Sequence, residues 1–204
     1  DKRKEEISYF KSKGFFNYDV MEDKSFPIKP QFFFSELRKV LPNNSIICTE
    51  SIYWMQKYFK VYEPRSQIVC TGLAPIGASL SEAFGAKLAK PNLLVVSIQG
   101  DGGFNMIFNE LLISELYKIP ILVIVLNNGI FGPVYNSQMK KYNKSFMTKF
   151  NNPNYSFLAK SFNLKNKTIK NPNSIIKTIT DSLELIREGK SVLINVQVAN
   201  ELWP

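Results

Sequence analysis

The stretch Leu93-Leu94-Val95-Val96-Ser97-Ile98-Gln99-Gly100-Asp101-Gly102-Gly103 runs an apolar segment into a glycine-flanked carboxylate. A second apolar run, Ile121-Leu122-Val123-Ile124-Val125-Leu126, ends in the same manner at Asn127-Asn128. Both runs are of strand length. Residues 103 to 126 leave room for one helix and one further strand. The two polar tips are therefore expected side by side at the carboxyl ends of neighbouring parallel strands, where open α/β sheets place their ligands. An Asp carboxylate, an Asn amide oxygen and nearby backbone carbonyls are hard donors of the kind Mg²⁺ takes alongside a substrate's phosphates. Gly102 and Gly103 let the main chain approach a phosphate, and the following helix offers free N–H groups at its positive end. The pattern reads as a metal-plus-diphosphate site.

The alternation continues along the chain. Helices are expected over Gln31 to Val40, near Tyr53 to Phe59, and over about 76–88, 134–142, 154–162 and 173–187. Strands are expected over Ser45 to Thr49, Gln67 to Cys70, 165–169 and Ser191 to Val198. The helix after Gly102 carries Phe104, Ile107, Phe108, Leu111 and Leu112 at spacings that predict one buried face. Near-continuous apolar strands alternating with helices imply an α/β fold, a doubly wound, mainly parallel sheet covered on both faces. Residues 1–29 read as an amphipathic helix around Ile7 and Phe10, then a turn-rich connector ending at Pro27 and Pro30. Residues 143–173 are rich in Asn and read as a loop-rich surface region.

Composition narrows the classes. A chain of 204 residues, 45% apolar and 21% charged, can bury one core and is not a disordered sequence. The formal charge of +9 comes from scattered lysines without a nucleic-acid motif, so a solvated basic surface is favoured over nucleic-acid binding. No apolar run reaches the length of a membrane span. The first residues lack an apolar signal core and there are only two cysteines, which points to a reducing, cytoplasmic compartment. Cys48 and Cys70 are read as buried core thiols. Histidine is absent, so no His acts here as base or metal ligand, which suits cofactor-driven chemistry.

Gly100-Asp101-Gly102 with Asn127-Asn128 about two dozen residues on resembles the signature of the thiamine-diphosphate-dependent enzymes. Ile28-Lys29-Pro30-Gln31, Glu63-Pro64-Arg65, Gly72-Leu73-Ala74-Pro75-Ile76-Gly77 and Gly85-Ala86 follow the order of the acetolactate-synthase-like members. The resemblance covers roughly residues 28 to 200. It implies thiamine diphosphate and Mg²⁺ as cofactors, with Asp101, the Asn128 side chain and the Ile130 carbonyl as metal ligands and Asn127 structural. Gly102, Gly103, Phe131 and Gly132 would meet the diphosphate through their main chain. By the same resemblance the Ala74 carbonyl accepts from the cofactor's amino group, and Ile76 wedges between the two rings, so that the cofactor's own nitrogen serves as a pre-positioned base.

The resemblance also implies what lies elsewhere. The carboxylate that activates the cofactor belongs to a pyrimidine-binding domain or chain of the same enzyme, so these residues would hold half an active site within a homo-oligomer, a dimer or tetramer. Residues 1–29 would then lead from an upstream domain into a cofactor-binding domain over 30–204, and a FAD, if the enzyme has one, would sit outside this chain. Two stretches depart from acetohydroxyacid synthases proper. Pro133-Val134-Tyr135-Asn136-Ser137 stands where their substrate pocket carries Met-Val and then Gln-Trp, with Ser137 at the Trp position. Glu50-Ser51-Ile52-Tyr53 replaces a longer Gly-Gln-His-Gln loop, with Ser51 the candidate for a diphosphate contact. The leading expectation is a 2-oxo acid decarboxylase or carboligase. The alternatives are a non-catalytic homologue with a scaffold or regulatory role, and an unrelated nucleotide- or flavin-binding domain.

Overall fold

The computed structural model describes residues 2–12, 21–50 and 52–201. Along the chain run α1 (Lys2–Ser12), α2 (Pro30–Val40), β1 (Ile46–Thr49), α3 (Tyr53–Tyr58), β2 (Gln67–Val69), α4 (Ala78–Ala89), β3 (Val95–Gly100) and α5 (Asp101–Ile107). A short 3-10 turn leads into α6 (Leu111–Tyr117), followed by β4 (Leu122–Asn127), α7 (Gly132–Tyr142), α8 (Tyr155–Ser161), β5 (Lys165–Ile169), α9 (Ile175–Arg187) and β6 (Val192–Gln197). The strands form one six-stranded sheet in the order β2-β1-β3-β4-β6-β5, and every pairing is parallel. The expected α/β fold is therefore the observed one.

Alternation along the strands builds two cores, one on each face. Val96, Ile98, Leu122, Ile124, Leu126 and Ile194 point to the face covered by α2, α3 and α9, where Phe33, Leu37, Met55 and Ile179 are buried. Cys48, Val95, Val123, Val125 and Leu193 point the other way, beneath Leu80 and Phe84 of α4, Phe104 of α5, Leu111 of α6 and Tyr155 of α8. Small residues on α4 bring it close to the sheet: Ala83 is fully buried and the Ser79 hydroxyl lies 3.2 Å from that of Ser97 on β3.

Topology fixes where a ligand can sit. The chain steps from β1 outward to β2, then returns to lay β3 on the opposite side of β1. That reversal opens a crevice at the carboxyl ends of β1 and β3, the topological switch point of an open sheet.

Several expectations need correcting. Strand β3 runs two residues further than expected, so Gly100 ends the strand and Asp101 opens the helix. The single helix expected after Gly102 is broken at Ile107 (φ −136°, ψ 1°), and the rotation leaves Leu112 about half exposed while Phe104 and Leu111 stay fully buried. Helix α1 is present, but its described residues 2–9 are exposed, Ile7 included, so they show no buried apolar face. The side chain of Phe10 lies outside the described residues. Cys48 is buried and its thiol is pushed up to about 12 by desolvation and the charge of Glu82, but Cys70 lies just past β2 and is only partly buried. Within the Asn-rich residues 143–173, the expected helix over 154–162 and strand over 165–169 are observed as α8 and β5.

Phe33 is fully buried in α2, edge-on to Phe34 with ring centroids 5.7 Å apart. Phe33→Ala is expected to destabilise the fold by about 3–5 kcal/mol, read as a lower urea midpoint with unchanged slope. A loss below about 1 kcal/mol would contradict this placement of the core.

Candidate functional site

Asp101 is the first residue of α5 and is 2% exposed. Its Oδ2 accepts hydrogen bonds from Asn128 N (3.1 Å), Gly129 N (2.6 Å) and Asn152 Nδ2 (2.6 Å). Its Oδ1 accepts from Gly102 N at 3.0 Å. The tips of β3 and β4 are thus joined through one carboxylate. Burial raises the carboxyl above its ordinary range, against the pull of the Asn152, Gly129, Asn128 and Gly102 donors.

The two asparagines divide their work. Asn127 is tied into the framework: its Nδ2 donates to Asn195 Oδ1 on β6 (3.0 Å), and its Oδ1 accepts from Asn152 Nδ2 (2.9 Å). Among the described residues, Asn128 Oδ1 accepts only a short-range bond, from Ile130 N at 3.1 Å, across the left-handed Gly129 (φ +67°). Ile130 forms an antiparallel bridge with Lys149, in which Phe131 N donates to Thr148 O and Phe150 N donates to Gly129 O. In such a pair the bridging residue turns its own N–H and C=O away from its partner strand. The Ile130 carbonyl therefore lies on the side of its N–H, which is the Asn128 side.

A cavity of about 250 Å³ opens at this point, and Ala74, Ile76, Asp101, Gly102, Gly103, Asn128, Ile130, Phe131 and Gly132 all line it. The glycines are needed for space. A Cβ on Gly102 would lie 2.5 Å from the Phe131 ring, and one on Gly103 would lie 2.7 Å from Glu50 Cδ. Ala74 holds a left-handed conformation (φ +46°), which costs a non-glycine residue about 1–2 kcal/mol, and the turn it belongs to leaves Ile76 57% exposed. Pro133 lines the cavity as expected, whereas Ser137 lies on the exposed side of α7. Ser51 lies outside the described residues.

Two residues that sequence reasoning did not select belong to the site. Glu50, at the end of β1, lines the cavity and accepts hydrogen bonds from the Gly77 and Gly100 amides. Asn152, read with its neighbours as surface, instead braces Asp101 and Asn127 together. Its own Oδ1 accepts from Asn105 Nδ2 (2.7 Å) and lies 2.9 Å from the Tyr155 hydroxyl, whose pKa burial pushes up. An Asn in a polar, irregular stretch carries no periodic signal; only the Tyr155 beside it, an aromatic in an Asn-rich segment, hinted at burial.

The donors that face the cavity are a carboxylate, an amide oxygen and a carbonyl, a hard set suited to Mg²⁺ beside phosphate oxygens. Among the described residues no three His, Cys, Asp or Glu side chains converge into a metal-holding group. Asn152→Ala leaves Asp101 and Asn127 each one donor short, so it is expected to cost about 1–3 kcal/mol of stability in chemical denaturation. A change below about 0.5 kcal/mol would show that the brace contributes nothing.

Residues 48–196 match the family described as "Thiamine pyrophosphate enzyme, C-terminal TPP binding domain". Among curated relatives, the chain is 36% identical over 174 residues to a "Probable acetolactate synthase large subunit" of Methanococcus aeolicus, covering 80% of this chain and 29% of that protein. It is 31% identical over 194 residues to an "Acetolactate synthase large subunit" of Lactococcus lactis, covering 93% of this chain and 32% of the relative. It is 31% identical over 183 residues to an "Acetolactate synthase" of Bacillus subtilis, 88% and 31% of the two chains. The chain thus spans about a third of the length of these relatives. With a parallel sheet, a carboxylate-knotted pair of strand tips and a matched family pattern over most of its length, it belongs to the thiamine pyrophosphate enzymes, as their C-terminal cofactor-binding domain.

Proposed function

We propose that this chain is the diphosphate-binding domain of a thiamine-diphosphate-dependent 2-oxo acid decarboxylase or carboligase of the acetolactate-synthase kind. One observation carries the reading: both polar strand tips share the buried Asp101 carboxylate beside a cavity at the switch point of the sheet. Asp101, the Asn128 side chain and the Ile130 carbonyl would hold Mg²⁺. Gly102, Gly103, Phe131 and Gly132 would present their main chain to the diphosphate, and Ala74 and Ile76 would meet the rings. The fit rests on the hard oxygen donors facing the cavity and on two glycines that leave no space for a Cβ.

Bound thiamine diphosphate supplies the carbon nucleophile for a 2-oxo acid carbonyl and takes up the electron pair when CO₂ leaves. The chain's own residues orient that group and narrow the space around it. The Ala74 carbonyl is held by a left-handed backbone, and Ile76 is placed by the turn that ends at Gly77. Burial of Asp101 among N–H donors fixes its oxygens before any cation arrives.

Leu73 is 94% exposed on the same turn as the half-exposed Ile76, a surface a lone domain does not ordinarily leave open. This supports closure of the site by a pyrimidine-binding domain or chain that brings the activating carboxylate, within a dimer or tetramer. Residues 1–29 would lead into that domain's partner, residues 30–204. Among the described residues no helix is long and apolar enough to cross a membrane.

Titration of the protein with thiamine diphosphate in a calorimeter, with and without Mg²⁺, tests the reading. Asp101→Ala is expected to abolish Mg²⁺-dependent binding, and Asn128→Ala to weaken it at least about tenfold with the fold retained. Binding as tight as the parent's in either variant would contradict the assignment.

A further inference from the structure

Glu50 has no counterpart in the chemistry described so far, yet it touches three segments of the site. Its Oε1 accepts from Gly77 N, and its Oε2 accepts from Gly100 N at 3.3 Å. Gly77 is the left-handed residue (φ +92°) that closes the 72–77 turn and caps α4, whereas Gly100 is the tip of β3. The first turn of α5 presses against the same carboxylate at Gly103, where a Cβ would overlap Oε1. Among the described residues, Glu50 forms no ion pair with Lys or Arg. It is held by main-chain amides.

The turn it grips has little else to hold it. Among the described residues, apart from bonds within α4, the 72–77 turn receives no other hydrogen bond. Leu73, Ala74 and Ile76 are exposed. A Cβ on Gly77 would crowd Ile107 at 3.2 Å, so glycine lets the turn approach α5 closely. One carboxylate bonded at once to Gly77 and Gly100 fixes the distance between them.

We propose that Glu50 is a positioning residue: it sets the ring-facing turn of Ala74 and Ile76 against the diphosphate-facing loop of Gly100 to Gly103, and glycine at 103 is the condition for it to sit there. This rests on the function proposed above. It also places a negative charge beside a site for an anionic group, so positioning is gained against some electrostatic repulsion. The two contributions can be separated, because a ligand with rings needs the turn and a bare diphosphate does not.

The experiment measures two dissociation constants by calorimetry on the native assembly containing this chain, with saturating Mg²⁺: one for thiamine diphosphate, one for inorganic pyrophosphate. Glu50→Gln keeps the length of the side chain, but its NH₂ cannot accept from a second amide. It is expected to weaken thiamine diphosphate while leaving pyrophosphate unchanged or tighter, shifting the ratio of the two constants by at least about tenfold. Gly103→Ala displaces the carboxylate without removing its charge and is expected to shift the ratio in the same direction. In a Glu50→Ala background, Gly103→Ala should move the ratio by less than about twofold further, since nothing remains to displace. An unchanged ratio in Glu50→Gln, equal losses for both ligands, or a Gly103→Ala effect independent of Glu50 would each overturn the proposal. A parent protein that binds neither ligand would instead overturn the function on which it rests.

Discussion

The Asp101 carboxylate is the constraint on which the site depends. Four N–H donors from three separate segments converge on two oxygens that are withdrawn from water. An ionised group in such a place costs several kcal/mol unless donors replace its water. These donors offset part of that cost, at lengths of 2.6 to 3.1 Å, and in doing so they fix where β3, the loop after β4 and the 147–152 segment meet. The main-chain bonds between Gly129, Phe131, Thr148 and Phe150 carry that register outward, which holds the Ile130 carbonyl and the Asn128 side chain on one side. In the function proposed here, a cation would meet donors whose positions the fold has already set.

Much of the fold was legible because the sheet is parallel and covered on both faces. The inner strands must then be apolar at nearly every position, and runs such as Ile121 to Leu126 stand out from their surroundings. The glycine–Asp–glycine tip and the paired asparagines were legible for a related reason: polar residues at the end of such a run have a single place to go. Boundaries were less legible. Gln99 and Gly100 read as the start of a turn, yet they pair with Val125 and Leu126 inside the sheet. The break at Ile107 carries no Pro or Gly to announce it.

What the sequence concealed was long-range polar contact. Asn152 reaches Asp101 across 51 positions, and Glu50 reaches Gly100 across 50. Neither distance leaves a local pattern, since Asn among asparagines looks like solvated loop and Glu at a strand end looks like a surface charge. The comparison with longer-looped relatives drew attention to the place where Glu50 stands, but its bonds to two glycine amides emerged only from the fold. The residues proposed to face a cation were read from the sequence. The residues that brace them were not.

The most direct test of the site is a crystal structure of the protein with thiamine diphosphate and Mn²⁺, located by its anomalous signal. The expected result is one cation at coordination distance, about 2.0–2.2 Å, from Asp101 Oδ1, Asn128 Oδ1 and the Ile130 carbonyl, with the diphosphate against Gly102 and Gly103. A cation bound elsewhere, or a cofactor seated with no cation between its diphosphate and Asp101, would contradict it.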